Sequence, residues 1–368
     1  MNKPAIIILW MLVMNGAYAQ VQSSFDVTKL LHIPLQYAAL KIADTITIDG
    51  TPDEKVWEKA KWTEDFTDIE TGAFTGMKSR ARCKMLWNDN YLYVYAEINE
   101  ANLWATLTEH DREVFQDNAL EIFICPNGNN FNYMEFQING YETVWDLYLP
   151  KPYRNGGKGL TNWDIKGLKK AVRLHGTINN PNDVDTGWSI ELAIPLNAVI
   201  MNKEKPPKTG AIWRMNFSSV QYGLDIVDGK YHRRADKLTG ETLPPQYSVW
   251  SPHGIIDLHY PERWGYVLFS DKPQTKSFLS DAAENFKLSL WKYYYLQQQF
   301  KMENKKYASS LKQLETFFPK TTIQRSEDQY IQMNANDHQF WISGHLPGFN
   351  EEWAIDNTGE FHTINKPL

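Results

Sequence analysis

The sequence has 368 residues, of which 42% are hydrophobic and 22% charged, and its formal net charge is −6. This length suits two or three domains, and the composition is typical of globular proteins, which excludes general disorder. The mild acidity argues against a nucleic-acid-binding protein, which normally carries a strong basic excess. Two cysteines are too few for a disulfide-rich scaffold or a thiolate zinc site. The high aromatic content, 14%, suits a β-rich core and also stacking against a ligand.

The first 19 residues have the pattern of a secretory signal peptide. Lys3 supplies the positive charge, residues 5–14 form the apolar stretch, and Ala17 and Ala19 make an A-x-A cleavage site. The apolar stretch is about half of the ~20 residues that span a bilayer, so no membrane span is predicted. We therefore expect cleavage near Ala19 and a mature protein that is secreted or periplasmic.

Residues 20–40 form a lead-in without a clear period, whereas residues 41–270 are dominated by short alternating or aromatic-rich runs that are separated by turn residues. The runs predicted as strands are 45–48, 81–87, 91–98, 120–125, 133–138, 188–194, 213–221 and 265–269. A helix is predicted at 51–60 from its early proline and acidic first turn. So many short strands predict a mainly β fold, an antiparallel β-sandwich or jelly roll.

The two cysteines both lie in predicted strands. Export to an oxidising compartment would permit a disulfide between Cys83 and Cys125. Two buried thiols on separate strands are the alternative, and the sequence leaves both open.

The composition changes after a polar linker at residues 271–280. Large apolar residues then recur with a helical period at Phe286, Leu290, Tyr293, Leu296 and Phe300. A shorter helix is predicted at 309–317, followed by strand-like runs at 330–333, 340–343 and 353–355. Residues 281–368 are therefore predicted to form a small α+β domain.

Several motifs follow one another along the predicted sandwich. They are IDGTPDEKVW at 48–57, LWNDNYLYV at 86–94, QDNALEIFI at 116–124, GWSIELAIP at 187–195, and WSP at 250–252 with HYPERWG at 259–265. Their order and spacing resemble the carbohydrate-binding module family 9 domain, a member of the DOMON-like sandwich group, over about residues 40–270. The resemblance implies glycan binding, in the best-known members at the reducing ends of sugar chains, by a non-catalytic accessory of glycoside hydrolases.

In that family two tryptophans sandwich a sugar, while a glutamate, an arginine and amides bind its hydroxyls. Glu121 matches the family's glutamate, Gln137 stands at the arginine position, and Asn139 matches an asparagine. Phe115 stands near the first tryptophan position, and Leu258 or His259 at the second. The sequence therefore departs from the reducing-end pattern in both sandwich tryptophans.

Other aromatic residues nearby are candidates to replace the missing tryptophans. Trp104 and Trp163 lie in predicted loops, where function concentrates on a sandwich, and Trp145 and Tyr260 are also near in sequence. The alternative for each is packing at the rim. For Glu121 the alternative is an outward strand residue paired with a base. The predicted carbohydrate-binding residues are Trp104, Phe115, Glu121, Gln137, Asn139, Trp145, Trp163 and Tyr260.

A structural calcium ion is the weakest of the predicted ligands. Asp49, Asp53 and Glu54 supply the hard oxygen ligands that calcium prefers. Acidic residues in the first turn of a helix also complement its dipole, and that interpretation is favoured. His253 and His259 have no obvious second ligand nearby, so no zinc site is predicted there.

Two other classes of function are weighed against glycan binding. Some DOMON-like relatives carry haem b between methionine and histidine or lysine ligands. Candidates for such ligands are Met77, Met85, Met134, Met215, His232 and His259, although methionines in strands usually fill the core. A glycosidase needs two carboxylates across a cleft, and the candidates are Asp111, Asp117, Glu121, Asp146 and Glu191. Nothing in the sequence distinguishes two of these carboxylates as a catalytic pair, and no known catalytic motif is present. The sequence therefore does not predict an enzyme.

The C-terminal domain suggests a further role. Its long aromatic helix and the strands after it resemble the globular head of a pilin-like protein, but the helix carries Lys287, Lys292 and Lys301 in place of an apolar assembly segment. The alternatives are a protein-contact or spacer domain and a lid on the sandwich. A structural or protein-interaction scaffold without sugar binding is thus the remaining alternative function.

Overall fold

The computed structural model describes residues 26–201, 205–319 and 330–365. The chain divides into two compact units. Among the described residues, one unit is Ile33–Ser280, and the other joins residues 26–32 with residues 281–319 and 330–365. The predicted signal peptide lies outside the described residues.

The first unit consists of strands connected by loops and short 3-10 helices. Its strands are β1 Gln36–Lys41, β2 Thr67–Asp68, β3 Ala81–Trp87, β4 Tyr91–Ile98, β5 Ala119–Cys125, β6 Tyr133–Asn139, β7 Val144–Leu149, β8 Lys169–His175, β9 Gly187–Pro195, β10 Ile212–Gln221, β11 Leu224–Val227, β12 Lys230–Arg233, β13 Gln246–Val249 and β14 Gly265–Ser270. Its 3-10 helices are Lys55–Lys59, Met77–Ser79, Val114–Gln116, Tyr153–Asn155 and Pro261–Arg263.

Most of these strands form one large sheet in the order β7-β6-β5-β10-β14-β1-β3-β4-β9-β8. Strand β13 pairs with β10 and β2, while β11 and β12 form a separate hairpin. The pairs are antiparallel except for β1, which runs parallel to both β14 and β3. The sheet curls into a sandwich-like arrangement, which confirms the predicted mainly β fold with a small C-terminal domain.

The alternation of side chains explains where the core lies, because successive residues of a strand face opposite sides of the sheet. Apolar residues from both halves of the sheet, such as Met85, Ile122 and Ile190, meet in one large core. Two smaller clusters lie on the opposite faces. Trp57 covers one of them, and Trp264 packs in the other beside Phe123.

The segment at 45–60 differs from the prediction, since it contains neither a strand at 45–48 nor a full helix at 51–60. Only the 3-10 helix Lys55–Lys59 forms. The reason is a distant carboxylate: Glu191 accepts hydrogen bonds from the backbone N–H groups of Asp49 and Gly50 and from the Trp57 indole N–H. These bonds fix the segment as a loop against β9.

The disulfide alternative for the cysteines was wrong, because Cys83 and Cys125 are two buried reduced thiols. Cys83 points into the large core from β3, whereas Cys125 belongs to the outer cluster of β5. Three strands separate β5 from β3 in the sheet, and the two side chains face opposite sides of it. The interpretation as thiols on separate strands is confirmed.

The second unit packs two helices against a small antiparallel sheet. Its elements are α1 Asp281–Asn304, α2 Leu311–Phe317, β15 Tyr330–Ala335, β16 Phe340–His345, β17 Glu351–Asp356 and β18 Phe361–Asn365, with the 3-10 helix Val27–Leu30. The predicted apolar face of α1 is buried, and its Phe286 lies 5.7 Å from the ring of Trp353. The Ser310 side chain accepts a hydrogen bond from the Gln313 N–H and so begins α2. Within the described part of the chain, every helix is too short or too polar to cross a membrane.

Candidate functional site

A row of side chains crosses four neighbouring strands on the outer face of the sheet. Glu121 of β5 lies opposite Ser218 of β10 on one side and Gln137 of β6 on the other, and Gln137 in turn lies opposite Trp145 of β7. Side chains directly opposite one another have Cβ atoms about 5 Å apart, so the row is continuous. Glu135 precedes Gln137 by two residues and therefore shares its face. The outer face thus gathers two carboxyl groups, an amide and an indole.

The amide of Gln137 joins the two carboxyl groups. Its Nε2 donates to Glu121 Oε1 at 3.0 Å and to Glu135 Oε1 at 2.6 Å. Glu121 Oε2 and Gln137 Oε1 are buried and have no hydrogen-bond partner among the described residues. Leaving a buried acceptor unsatisfied costs about 1–3 kcal/mol. Both oxygens therefore have unused capacity to accept hydrogen bonds.

Burial and mutual repulsion disfavour the charged forms of these carboxyl groups. The pKa of Glu121 is raised well above its ordinary value, first by burial and then by the negative charge of Glu135. Burial raises the pKa of Glu135 to about 7, and the hydrogen bond from Gln137 opposes that rise. Near neutral pH the pair therefore holds a proton that an exposed pair would have lost.

A neutral histidine continues this polar group. His259 Nε2 lies 3.7 Å from Glu135 Oε2, and the Tyr133 hydroxyl lies 2.9 Å from His259 Nδ1. Burial, and next the charge of Arg154, lower the pKa of His259 to about 3, so its ring is uncharged at neutral pH. The ring of Tyr153, which is partly exposed, packs edge-on against His259 at 4.5 Å.

Two half-buried aromatic rings lie at the other end of the row. Phe115, in the 3-10 helix Val114–Gln116, and Trp145 have ring centroids 5.6 Å apart at 41°. The hydroxyl of Tyr222 donates to the Phe115 carbonyl at 3.1 Å and holds that segment in place. Trp104 packs edge-on against Tyr222 but is only 8% exposed. Phe115 and Trp145 are thus the aromatic surface beside Glu121 and Gln137, whereas Trp104 is buried and contacts Tyr222.

Three predicted residues lie outside this group. The Asn139 side chain donates to Leu107 O and Asp117 Oδ2 and accepts from two backbone N–H groups, so it holds a loop in place. Trp163 packs against the main core, 6.5 Å from Tyr148. Tyr260 is buried beneath the Arg154 guanidinium at 4.1 Å.

Two of the three acidic residues considered as calcium ligands accept hydrogen bonds from nearby backbone N–H groups. Asp49 Oδ1 accepts from the Thr51 N–H, and Glu54 Oε1 accepts from the Thr47 N–H. Asp53 is exposed. Among the described residues, the groups with metal-ligand spacing do not include these three.

Several residues considered as haem ligands or as catalytic carboxylates have structural roles in the folded chain. Met85, Met134 and Met215 fill the main core, while Met77 is exposed. Asp117 accepts hydrogen bonds from the Thr106 and Leu107 backbone N–H groups and is fully buried. Together with the bonds of Glu191 described above, these contacts give two of the five carboxylates a structural role.

Sequence reasoning missed Glu135, Arg154 and the contact between His259 and Glu135. The alternation in β6 could have identified Glu135, because Glu135, Gln137 and Asn139 alternate with Met134, Phe136 and Ile138. Nothing in the local sequence marks Arg154, whose partner Glu262 is 108 residues away at 2.9 Å. Such a pair is apparent only in the folded chain.

Comparison with known proteins identifies related chains. Residues 48–221 match the family described as carbohydrate family 9 binding domain-like. The chain is 26% identical to the exoglucanase XynX of Acetivibrio thermocellus over 172 residues, 47% of this chain and 13% of that protein. It is 31% identical to the endo-1,4-beta-xylanase C of Paenibacillus barcinonensis over 205 residues, 55% of this chain and 16% of that protein. The chain therefore spans less than a fifth of the length of either relative.

Among solved structures, a carbohydrate binding module family 9 from Caldicellulosiruptor kristjanssonii in complex with cellotriose is similar. The match has a TM-score of 0.40 and 16% identity, and it covers 67% of this chain and 98% of that one.

Proposed function

The sandwich contains a carbohydrate family 9 binding domain-like segment, residues 48–221, and on this premise we propose that the protein binds glycans without cleaving them. It is secreted or periplasmic in this proposal and assists polysaccharide breakdown. The observation that carries the proposal is the row on β5, β6 and β7. There, the unsatisfied oxygens of Glu121 and Gln137 lie beside the half-buried rings of Phe115 and Trp145.

The chemistry of this row matches that of a sugar ring. A pyranose has an apolar C–H face that packs on an aromatic ring, and Trp145 with Phe115 supplies that surface. Its hydroxyl groups donate hydrogen bonds, and Glu121 Oε2 and Gln137 Oε1 accept them. Bonds to a charged acceptor are the stronger ones, so ionised Glu121 would bind a hydroxyl more tightly than protonated Glu121.

The curated relatives suggest which glycans to test first. They are named as a xylanase and an exoglucanase, so we propose β-1,4-linked xylan or glucan chains as ligands. Shallow sugar sites bind weakly, with dissociation constants of about micromolar to millimolar, or about −8 to −4 kcal/mol.

The experiment is an affinity-gel and calorimetric screen of the mature protein with xylo- and cello-oligosaccharides. Trp145→Ala removes the stacking surface, and Glu121→Gln replaces one oxygen of the carboxyl group by an NH2 group of the same size, which donates hydrogen bonds and does not accept them. We expect each change to weaken binding about tenfold, which corresponds to about 1.4 kcal/mol. The matched controls are Trp341→Ala, at a 36% exposed tryptophan of the C-terminal unit, and Glu58→Gln, at an exposed position of the 3-10 helix Lys55–Lys59.

Unchanged affinity in both site variants would contradict the proposal, as would an equal loss in the controls. A reducing-sugar assay on the same oligosaccharides checks the non-catalytic part, because release of new ends by the wild type would show cleavage. If the folded protein binds none of the oligosaccharides, the result would favour the alternative of a protein-interaction scaffold without sugar binding. The search would then turn to protein partners of the C-terminal unit.

A further inference from the structure

A second polar cluster lies at the edge strand β7, on the other face of that strand. It consists of His110 and Asp111 from the loop before β5, Asp146 of β7, and Asp164 from the loop after β7. Each residue offers one ligand atom, and these atoms lie within 4.8 Å of one another. Trp145 and Asp146 are consecutive in the strand, so their side chains face opposite sides of the sheet. The cluster is therefore separate from the glycan row.

Asp146 is the buried member of this cluster, and its side chain is only 3% exposed. Its Oδ2 accepts a hydrogen bond from the Ile165 N–H at 2.5 Å. Its Oδ1 makes no hydrogen bond with any described residue. The closest basic group to Oδ1 is His110 Nε2 at 3.8 Å, which is beyond hydrogen-bond distance. A buried carboxylate oxygen thus points into the cluster without a partner.

Like charges converge on this oxygen. Asp111 and Asp164 each offer a carboxylate oxygen within 4.8 Å of the ligand atom that Asp146 offers. A cation among the three carboxylates would relieve both the repulsion and the unsatisfied oxygen. The other three side chains are exposed, so an ion can reach Asp146 from solvent.

The orientation of His110 suits metal binding. Its Nδ1 lies 3.0 Å from Asp111 Oδ1, which leaves Nε2 directed towards Asp146. Metal–nitrogen and metal–oxygen bonds are each about 2.1 Å long, so an ion can bridge two ligand atoms up to about 4.2 Å apart. The 3.8 Å between His110 Nε2 and Asp146 Oδ1 falls within that range. A carboxylate that orients the far nitrogen of a ligating histidine is a common feature of metal sites.

We propose that His110, Asp111, Asp146 and Asp164 form a binding site for a divalent first-row transition metal ion. Calcium and magnesium take oxygen ligands, whereas an imidazole nitrogen combined with carboxylates suits zinc or manganese. The ion would tie the loops at 110–111 and 164 to β7. This inference does not depend on glycan binding.

The experiment is calorimetric titration of the metal-stripped mature protein with Zn²⁺, and with Mn²⁺ and Ca²⁺ for comparison. We expect one Zn²⁺ per chain, with Mn²⁺ weaker and Ca²⁺ weaker still. Asp146→Asn keeps the shape of the side chain and its bond to Ile165 but removes the charge. Asp164→Asn changes an exposed side chain and so leaves folding intact. Each should weaken Zn²⁺ binding about tenfold or more.

The matched control is His362→Ala, because Asp356, Glu360 and His362 form the second group with metal-ligand spacing among the described residues. We expect this variant to bind Zn²⁺ as the wild type does. Several outcomes would overturn the proposal: unchanged binding in both aspartate variants, loss in His362→Ala instead, or a site that takes Ca²⁺ in preference to Zn²⁺. Circular dichroism of each variant separates loss of binding from loss of fold.

Discussion

At the scale of single residues, Glu135 links the site to the pH dependence of stability. Its pKa is about 7 in the folded protein against 4.5 as the ordinary value. Between these pH values the folded protein keeps a proton that the unfolded chain has released, so the free energy of unfolding falls as pH rises and levels off above about pH 7. Glu135→Gln removes this contribution. As pH rises from about 4.5 to 8, the free energy of unfolding of the wild type should therefore fall relative to that of the variant. The difference that builds up over this range is on the order of 3 kcal/mol.

Urea denaturation across this pH range measures the effect. The control is Glu58→Gln, whose side chain is exposed in the folded protein and in the unfolded chain. It should follow the wild-type pH profile. A Glu135→Gln profile parallel to that of the wild type would show that this carboxyl group does not titrate as its burial indicates.

At the scale of elements, strand β6 shows how much alternation predicts and where it stops. The run at 133–138 was predicted as a strand, and the structure has Tyr133–Asn139. Its even-numbered residues are apolar and face the core, as period two requires. Gln137 and Asn139 are equivalent in this pattern, yet Asn139 is engaged by a loop while Gln137 Oε1 has no partner among the described residues. That difference depends on contacts made only in the folded chain.

Two other elements were mispredicted or missed for related reasons. The helix expected at 51–60 is limited to a 3-10 turn because Glu191, far away in sequence, binds the backbone before it. Strand β8, Lys169–His175, was not predicted. It pairs only with β9 at the edge of the sheet, and its charged residues face water rather than a core. Local sequence patterns therefore identified seven strands of the sheet, but they also missed β1 in its middle and the largely buried β7.

The pairing of β4 with β9 depends on a glycine at the start of β9. Gly187 has φ +135°, and a Cβ at this position would lie 2.0 Å from the Ile98 carbonyl oxygen. We expect Gly187→Ala to destabilise the sandwich by about 2 kcal/mol or more. Gly210→Ala is the matched control, because Gly210 has φ +92° but open space around it. It should cost only the backbone strain, about 1 kcal/mol. Equal unfolding midpoints in urea for the two variants would show that the close approach to Ile98 contributes nothing.

At the scale of the whole molecule, Cys83 reports on opening of the sandwich. Its side chain is fully buried in the core that both halves of the sheet enclose, and burial raises the pKa of its thiol. We expect no reaction with a thiol reagent in the native state and complete reaction in denaturant. Under native conditions the labelling rate should follow global unfolding, because only that opening exposes this core.

This readout also separates the two proposed sites, since a ligand that binds only the folded state suppresses opening by a factor of 1 + [L]/Kd. At 100 times Kd, either an oligosaccharide or Zn²⁺ should slow Cys83 labelling about 100-fold. Trp145→Ala should reduce the protection by sugar about tenfold and leave the protection by Zn²⁺ unchanged, and Asp146→Asn should do the reverse. The two residues are neighbours in β7 with side chains on opposite faces. If each substitution affects the protection by one ligand only, the two sites on this strand are independent. Loss of both protections in either variant would mean that the sites act as one.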